Sequence, residues 1–257
     1  MINLIIPYIQ TVFIFMTSIF LIALIKKDNS IVDISWGIGF ILIALISLIM
    51  HGLYLPLQII LTLLICVWGL RLSLRIYQRN KGKGEDPRYA QWRKEWGSWT
   101  PIRSFFQIFM LQGALMLIIA YPIITINSSK MLTVTWVQIL GIVVWCIGFF
   151  FEAIGDYQLD QFLKNPIHKD TICTVGLWRY TRHPNYFGES LLWWGIFLMA
   201  LSTPYGWTII ISPLTITYLL LYVSGIPMTE RMFIGNQAYE QYKKETNAFF
   251  PWFTIKN

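Results

Sequence analysis

The run Gly176-Leu177-Trp178-Arg179-Tyr180-Thr181-Arg182-His183-Pro184-Asn185-Tyr186-Phe187-Gly188-Glu189 concentrates two guanidinium groups, an imidazole, a carboxamide and a carboxylate in one short segment. Pro184 suits the first turn of a helix, where its missing N–H costs nothing. The free N–H groups of that turn and the helix dipole favour a phosphate or another anion. Asn185 and Glu189 are four residues apart and share a helix face. Arg179, Arg182 and His183 come just before the turn. An ordinary basic flank before a Pro-started helix would explain the Arg and Pro residues. It would not call for His183, Asn185, Tyr186 and Glu189, which together suit an enzyme that holds an anionic cofactor.

The elements that position these groups are membrane helices. The chain is 56% hydrophobic and 13% charged, which excludes an ordinary soluble domain. About seven apolar runs are long enough to span a bilayer, roughly 4–25, 31–50, 53–73, 105–126, 132–156, 185–203 and 206–226. The first lacks a small-residue cleavage site and reads as a retained helix. The expected fold is therefore all-α, a polytopic bundle forming one membrane domain over 1–257. Its cofactor half would be formed mainly by 71–104 and 150–257.

Charge sets the expected topology. With the 71–104 loop in the cytosol, Lys26, Lys27, Lys164, Lys169, Arg179, Arg182, Arg231, Lys243, Lys244 and Lys256 also fall inside, and only Lys130 falls outside. The N-terminus is then external and the C-terminus cytosolic. No acid lies in an external loop, so the chemistry is expected to face the cytosol. This asymmetry explains the basic balance without nucleic acid, and a basic inner face also suits anionic lipid headgroups. The three cysteines, Cys66, Cys146 and Cys173, have no metal-ligand spacing.

Four further groups of residues bear on chemistry. Glu152, Asp156 and Asp160 recur every four residues on the fifth span. They either form a carboxylate cluster or mark where that helix reaches water. Asp33 and Ser35 open the second span, as a helix cap or as the mouth of a polar cavity. Arg71, Arg75 and Arg79 make one face of the third helix cationic, and Lys81 and Lys83 follow; this suits either topology or a pyrophosphate. The tail 236–249 reads as an amphipathic interfacial helix, followed by an apolar Phe250-Pro251-Trp252-Phe253 plug. There is no paired-His metal motif, no Gly-rich phosphate fingerprint and no Gly-flanked serine nucleophile. His51 and His168 receive no role.

Asp33-Ile34-Ser35-Trp36-Gly37, Gly84-Glu85-Asp86-Pro87-Arg88-Tyr89, Glu152/Asp156, Gly176–Glu189, Pro227-Met228-Thr229-Glu230-Arg231 and Phe250-Pro251 together resemble the bacterial DUF1295 family. That family is similar to steroid 5-alpha-reductases and, more distantly, to intramembrane sterol reductases. The resemblance implies a seven-helix fold in a bacterial inner membrane, with NADPH in a cytosol-facing cavity and a lipid or steroid-like substrate entering from the bilayer. It implies no metal and no obligatory protein partner. By resemblance, Arg79, Asp156, Lys164, Arg179, Arg182, His183, Asn185, Tyr186 and Arg231 would hold the cofactor. Glu189 would sit nearest the reacting end. Asp33 lies where eukaryotic reductases carry a carbonyl-polarising Gln-Glu pair, and is the second catalytic candidate.

Two alternatives stand beside this reading. An S-adenosylmethionine-dependent methyltransferase similar to isoprenylcysteine carboxyl methyltransferase shares the Arg-His-Pro-x-Tyr turn and a late Glu-Arg pair. A lipid-binding or scaffold protein would make the polar face near Glu189 incidental.

Overall fold

The computed structural model describes residues 2–130, 133–168, 171–204 and 206–253, without the side chains of Ile2, Asn3 and His168. Every regular element among them is helical. Six helices are long and apolar enough to cross a membrane: α1 (Ile2–Lys26), α2 (Ile31–His51), α3 (Pro56–Asn80), α4 (Pro87–Ile119), α6 (Trp136–Lys164) and α8 (Gly206–Arg231). The chain is thus an all-α membrane protein. Between them lie α5 (Tyr121–Asn127) and α7 (Pro184–Leu201), and α9 (Gln237–Glu245) follows α8. The seventh expected span corresponds to α7. It has eighteen residues, but Asn185, Glu189 and Ser190 sit in its first two turns and keep it out of the strongly apolar set. Expected inner cations Lys169 and Lys256 lie outside the described residues.

The helices form two compact units, residues 1–134 and 135–257. In the first, α2 and α3 cross at paired glycines. A Cβ on Gly37 would lie 2.3 Å from the Gly69 carbonyl oxygen, and one on Gly69 would lie 2.6 Å from that of Gly37. Small residues at such crossings let backbones touch and gain dispersion contacts where lipid offers no hydrophobic drive. α4 bends at Gly97, whose φ of +52° falls in the region that favours glycine.

A polar network closes the α1–α2 end of this unit. Asp86 caps α4 by accepting from the Arg88 N–H at 3.0 Å, with Pro87 in the first turn. Arg93 grips Glu85 with two hydrogen bonds of 2.8 Å, and Glu85 also accepts from the Asn29 N–H at 2.7 Å. Burial pushes the Glu85 carboxyl up, but these donors outweigh it and hold it below the usual carboxylate range. The Gly84–Tyr89 motif thus fastens the α3–α4 connection onto the α1–α2 turn.

Polar side chains also gather at the opposite end of α2. The Gln58 amide accepts from Leu53 and Leu55 N–H and donates to Asn127 and Ser129 carbonyls. Asn127, fully buried, donates to Ser47 at 2.7 Å. His51 packs its ring 6.2 Å from that of Tyr8.

In the second unit, α6 and α7 run antiparallel with glycines every seven residues along their contact. A Cβ on Gly141 would meet the Gly195 carbonyl oxygen at 2.7 Å, and one on Gly148 would meet that of Gly188 at 2.7 Å. One on Gly155 would lie 3.2 Å from the Asn185 nitrogen. Only hydrogen-sized side chains permit this approach, and the matching sevenfold spacing fixes one register.

The expected interfacial helix α9 turns its apolar face inward. Tyr239 and Tyr242 are buried, Phe233 stacks on Tyr239 with centroids 4.4 Å apart, and Tyr242 donates to the Trp178 carbonyl. The expected plug is instead exposed: Phe250, Trp252 and Phe253 lie at the surface, as do Met232 and Ile234 before α9.

The glycine contact can be tested away from the polar residues. Gly195→Leu should destabilise the second unit by about 3 kcal/mol or leave it unfolded, because the clash is with backbone atoms. Gly84→Ala, with nothing within 4 Å of its Cβ, should stay within about 0.5 kcal/mol of the parent. Thermal unfolding in detergent would check both; a Gly195→Leu protein that melts like the parent contradicts the packing.

Candidate functional site

The α6–α7 register decides what meets what. A Cβ on Gly188 would lie 2.3 Å from the Glu152 nitrogen, so Glu189 follows directly on the closest backbone contact with α6. One turn on, Gly155 faces Pro184 and Asn185, and Asp156 is the next residue. Glu152 and Asp156 are buried, with 2% and 3% exposure, whereas Asp160 is half-buried. The first two are therefore not solvated interface acids. α6 continues to Lys164, beyond the predicted end of the span, and carries the cluster on a continuous helix. The structure thus brings Glu152, Asp156, Asn185 and Glu189 into successive layers of one helix pair. The Asn185 side-chain amide oxygen, Oδ1, is buried without a hydrogen-bond partner, an acceptor for which a donor is needed.

His183 is the N-cap of α7 and only 2% of its side chain is exposed. Its Nε2 lies 3.1 Å from Glu230, and its ring stacks on Tyr186 at 5.3 Å. A bond to a carboxylate assigns the proton to Nε2 and leaves Nδ1 as an acceptor. Tyr186 pairs its hydroxyl with Thr229 at 2.8 Å. Arg182 binds the same Glu230 oxygen through Nε at 3.0 Å and its terminal nitrogen at 2.9 Å. Arg182, His183 and Tyr186 therefore all converge on the end of α8. Glu230 is the hub that sequence reasoning passed over. It appeared only within the Thr229-Glu230-Arg231 motif, where an acid at the end of an apolar helix was the available signal.

The expected cations Lys164, Arg179 and Arg231 are all exposed in this unit. Arg179 ends a tight turn anchored by the Trp178 indole, which donates to the Gly155 carbonyl at 2.9 Å, and by the Leu177 N–H, which donates to Gln158 at 2.8 Å. Beside this turn is an open groove of about 340 Å³ lined by Tyr157, Gln158, Gln161, Phe162, Asn165, Val175 and Gly176. Neither Asn185 nor Glu189 lines it.

Asp33 and Arg79 belong to the first unit. Asp33 lies in the first turn of α2 but does not cap it; the N-cap is Ser30. Its carboxylate accepts from the Tyr89 hydroxyl at 2.7 Å and from Arg88 at 3.0 Å. Arg79 is exposed at the end of α3, with its Nε 3.5 Å from Asn80. No cluster of potential metal ligands occurs among the described residues.

The environment of His183 makes a pH prediction. Burial, and then the charge of Arg182, hold its pKa below 6.5 against the opposing pull of Glu230. The unfolded chain therefore takes up this proton at a higher pH than the folded chain does. As pH falls through 6.5 the unfolded state binds more protons, and stability drops with it. Glu85 and Asp86, held below 4.5 and 3.8, titrate outside this window. The melting temperature should be lower at about pH 5.5 than at about pH 7.5, and His183→Gln should shrink that difference. A parent whose melting point rises on acidification contradicts the assignment.

Comparison with known proteins gives a coarser result. A family described as "Protein of unknown function (DUF1295)" matches residues 19–246. The uncharacterized protein C594.04c of Schizosaccharomyces pombe (strain 972 / ATCC 24843) is 23% identical over 213 residues, covering 72% of this chain. The chain spans 60% of the length of that curated relative. No solved structure matches. Since the family match covers most of the sequence and six helices are long and apolar enough to span a membrane, the chain belongs to the DUF1295 family of membrane proteins.

Proposed function

We propose that the protein is a membrane-embedded, NADPH-dependent reductase of a carbon–carbon double bond in a lipid or steroid-like substrate. The observation that carries this reading is the start of α7. There the buried Asn185 oxygen needs a donor, and ribose hydroxyls and a carboxamide NH₂ are such donors. The buried acids Glu152 and Asp156 belong to the same helix pair, and Lys164, Arg179 and Arg231 offer exposed cations suited to phosphates. A nucleotide that carries hydroxyl and carboxamide donors together with anionic phosphates matches these acceptors and cations.

NADPH, when bound, supplies the hydride. Reduction would place that hydride on one alkene carbon and a proton drawn from water on the other. The chain's own work is to bind, orient and exclude water. Asn185 and Asp156 would fix the polar body of the nucleotide, with Glu189 beside its reacting end. Neutral His183, already donating through Nε2 to Glu230, would hold Tyr186 and the turn in place. The apolar helices would present the alkene from the bilayer side.

One observation favours the methyltransferase reading. Glu152, Asp156 and Glu189 are all acids, and a sulfonium cation would be attracted to them. The nucleotide reading accounts for the exposed cations as well, and is preferred for that reason.

Ligand-induced stabilisation of the purified protein separates these readings. A ligand present at a hundred times its dissociation constant should stabilise by about 2.7 kcal/mol. NADPH should do so at a concentration at least about tenfold lower than NADH, because each charge-assisted contact to the extra phosphate is strong. Asn185→Ala should weaken the NADPH effect. Stabilisation by S-adenosylmethionine alone would transfer the case to the methyltransferase, and stabilisation by neither would leave a lipid-binding role.

A further inference from the structure

The turn leading into α7 is held from outside α7. Thr181, fully buried, donates its hydroxyl to the carbonyl oxygens of Phe249 and Ala248 at 2.9 and 3.2 Å. The Arg182 N–H donates to the Asn247 carbonyl at 2.9 Å, and the Trp252 N–H donates back to Tyr180 at 2.9 Å. Phe249 and Phe250 both pack edge-on against Phe187, one turn into α7. The segment 246–253 therefore runs across Tyr180–Arg182 with main-chain bonds in both directions.

The Arg182 side chain completes this arrangement. Its Nε and one terminal nitrogen go to Glu230. The other terminal nitrogen donates to the carbonyls of Lys243 and Thr246, where α9 ends. A guanidinium has five N–H donors, and four of them are committed here. The side chain is only 10% exposed, and its charge faces both a carboxylate and the negative end of a helix dipole. A phosphate at Arg182 would have to displace these acceptors and would be repelled by Glu230. Arg179 and Arg231, which are exposed, meet no such barrier.

We propose that residues 246–253 form a strap that sets the Thr181–Asn185 turn in its ligand-binding conformation, and that Arg182 is a positioning residue that fastens this strap and does not read a phosphate. The proposal rests on the nucleotide reading of the α7 start. It makes the end of the chain, remote in sequence from Asn185 and Glu189, part of what builds their site. It also separates Arg182 from its neighbours in role: Asn185 addresses the ligand, while Arg182 addresses the protein.

The test uses the full-length protein in detergent with Thr181→Val, which removes the hydroxyl donor at constant shape, and Pro251→Gly, which loosens the strap without touching the core. Hydrogen exchange read without nucleotide should speed up at the Arg182 and Trp252 amides in both variants. NADPH affinity should fall about tenfold in Thr181→Val, as expected for losing the one hydroxyl proton that Phe249 and Ala248 share and the oxygen that accepts from the His183 N–H. Arg182→Gln should lose affinity comparably, while the dependence of affinity on ionic strength keeps the parent's slope; a phosphate-reading arginine would make that slope shallower. Unchanged exchange in both variants overturns the strap. A released strap with parental NADPH affinity, or a shallower slope for Arg182→Gln, overturns the positioning role. A parent that binds no NADPH overturns the nucleotide reading, and the exchange data still decide the strap.

Discussion

Everything distinctive in the second unit depends on how closely α6 and α7 approach. Gly141, Gly148 and Gly155 on one helix face Gly195, Gly188 and Pro184 on the other, and backbone atoms fill the space a Cβ would take. Inside a bilayer the association of two helices draws on dispersion and on polar contacts, not on hydrophobic exclusion from water. Close contact from Gly141 to Gly155 along α6 supplies the first of these. It also has a chemical consequence, because helices this close leave little room for water around Glu152 and Asp156. Acids placed there are costly. Their position opposite Asn185 and Glu189 is what makes them evidence for a ligand and not for a solvated helix end.

A second constraint works at the end of that pair. Arg182 and His183 both use Glu230, and Arg182 also holds the carbonyls that end α9. Of the groups that looked most like anion receptors in the sequence, Arg182 and His183 are internally committed. Arg179, from the same run, remains at the surface, as do Lys164 and Arg231. A guanidinium placed for capping and ion pairing costs less than one left buried for an absent anion, because its donors and charge are met at all times.

The membrane class, the helix positions and the membership of Asn185 and Glu189 in one face were legible in the sequence, since hydropathy and four-residue spacing encode them directly. The burial of Glu152 and Asp156 was only one of two open readings. Deciding it needed the register of α6 against α7, a pairing between segments. That register was written in the sequence as glycines at 141, 148, 155, 188 and 195, a sevenfold signal that motif reading passed over. The tail reads in the sequence as an interfacial helix, but Tyr239 and Tyr242 suit a headgroup layer and a protein surface equally, and the position of Trp178 and Phe233 turns them to the protein. Asp33 gave no sign of its partners, because Arg88 and Tyr89 reach it across more than fifty residues of chain.

The central claim is hydride delivery to a lipid alkene. It is tested most directly by incubating the purified protein, in membranes from its own host, with NADPH deuterated at C4 of the nicotinamide. Each face should be labelled in a separate run, and the extracted lipids followed by mass spectrometry. The account predicts that one lipid gains a single deuterium on carbon from one labelled face only, with loss of one double bond, and that Glu189→Gln abolishes the transfer. No deuterium in any lipid, together with a labelled methyl group transferred from S-adenosylmethionine under the same conditions, would contradict it.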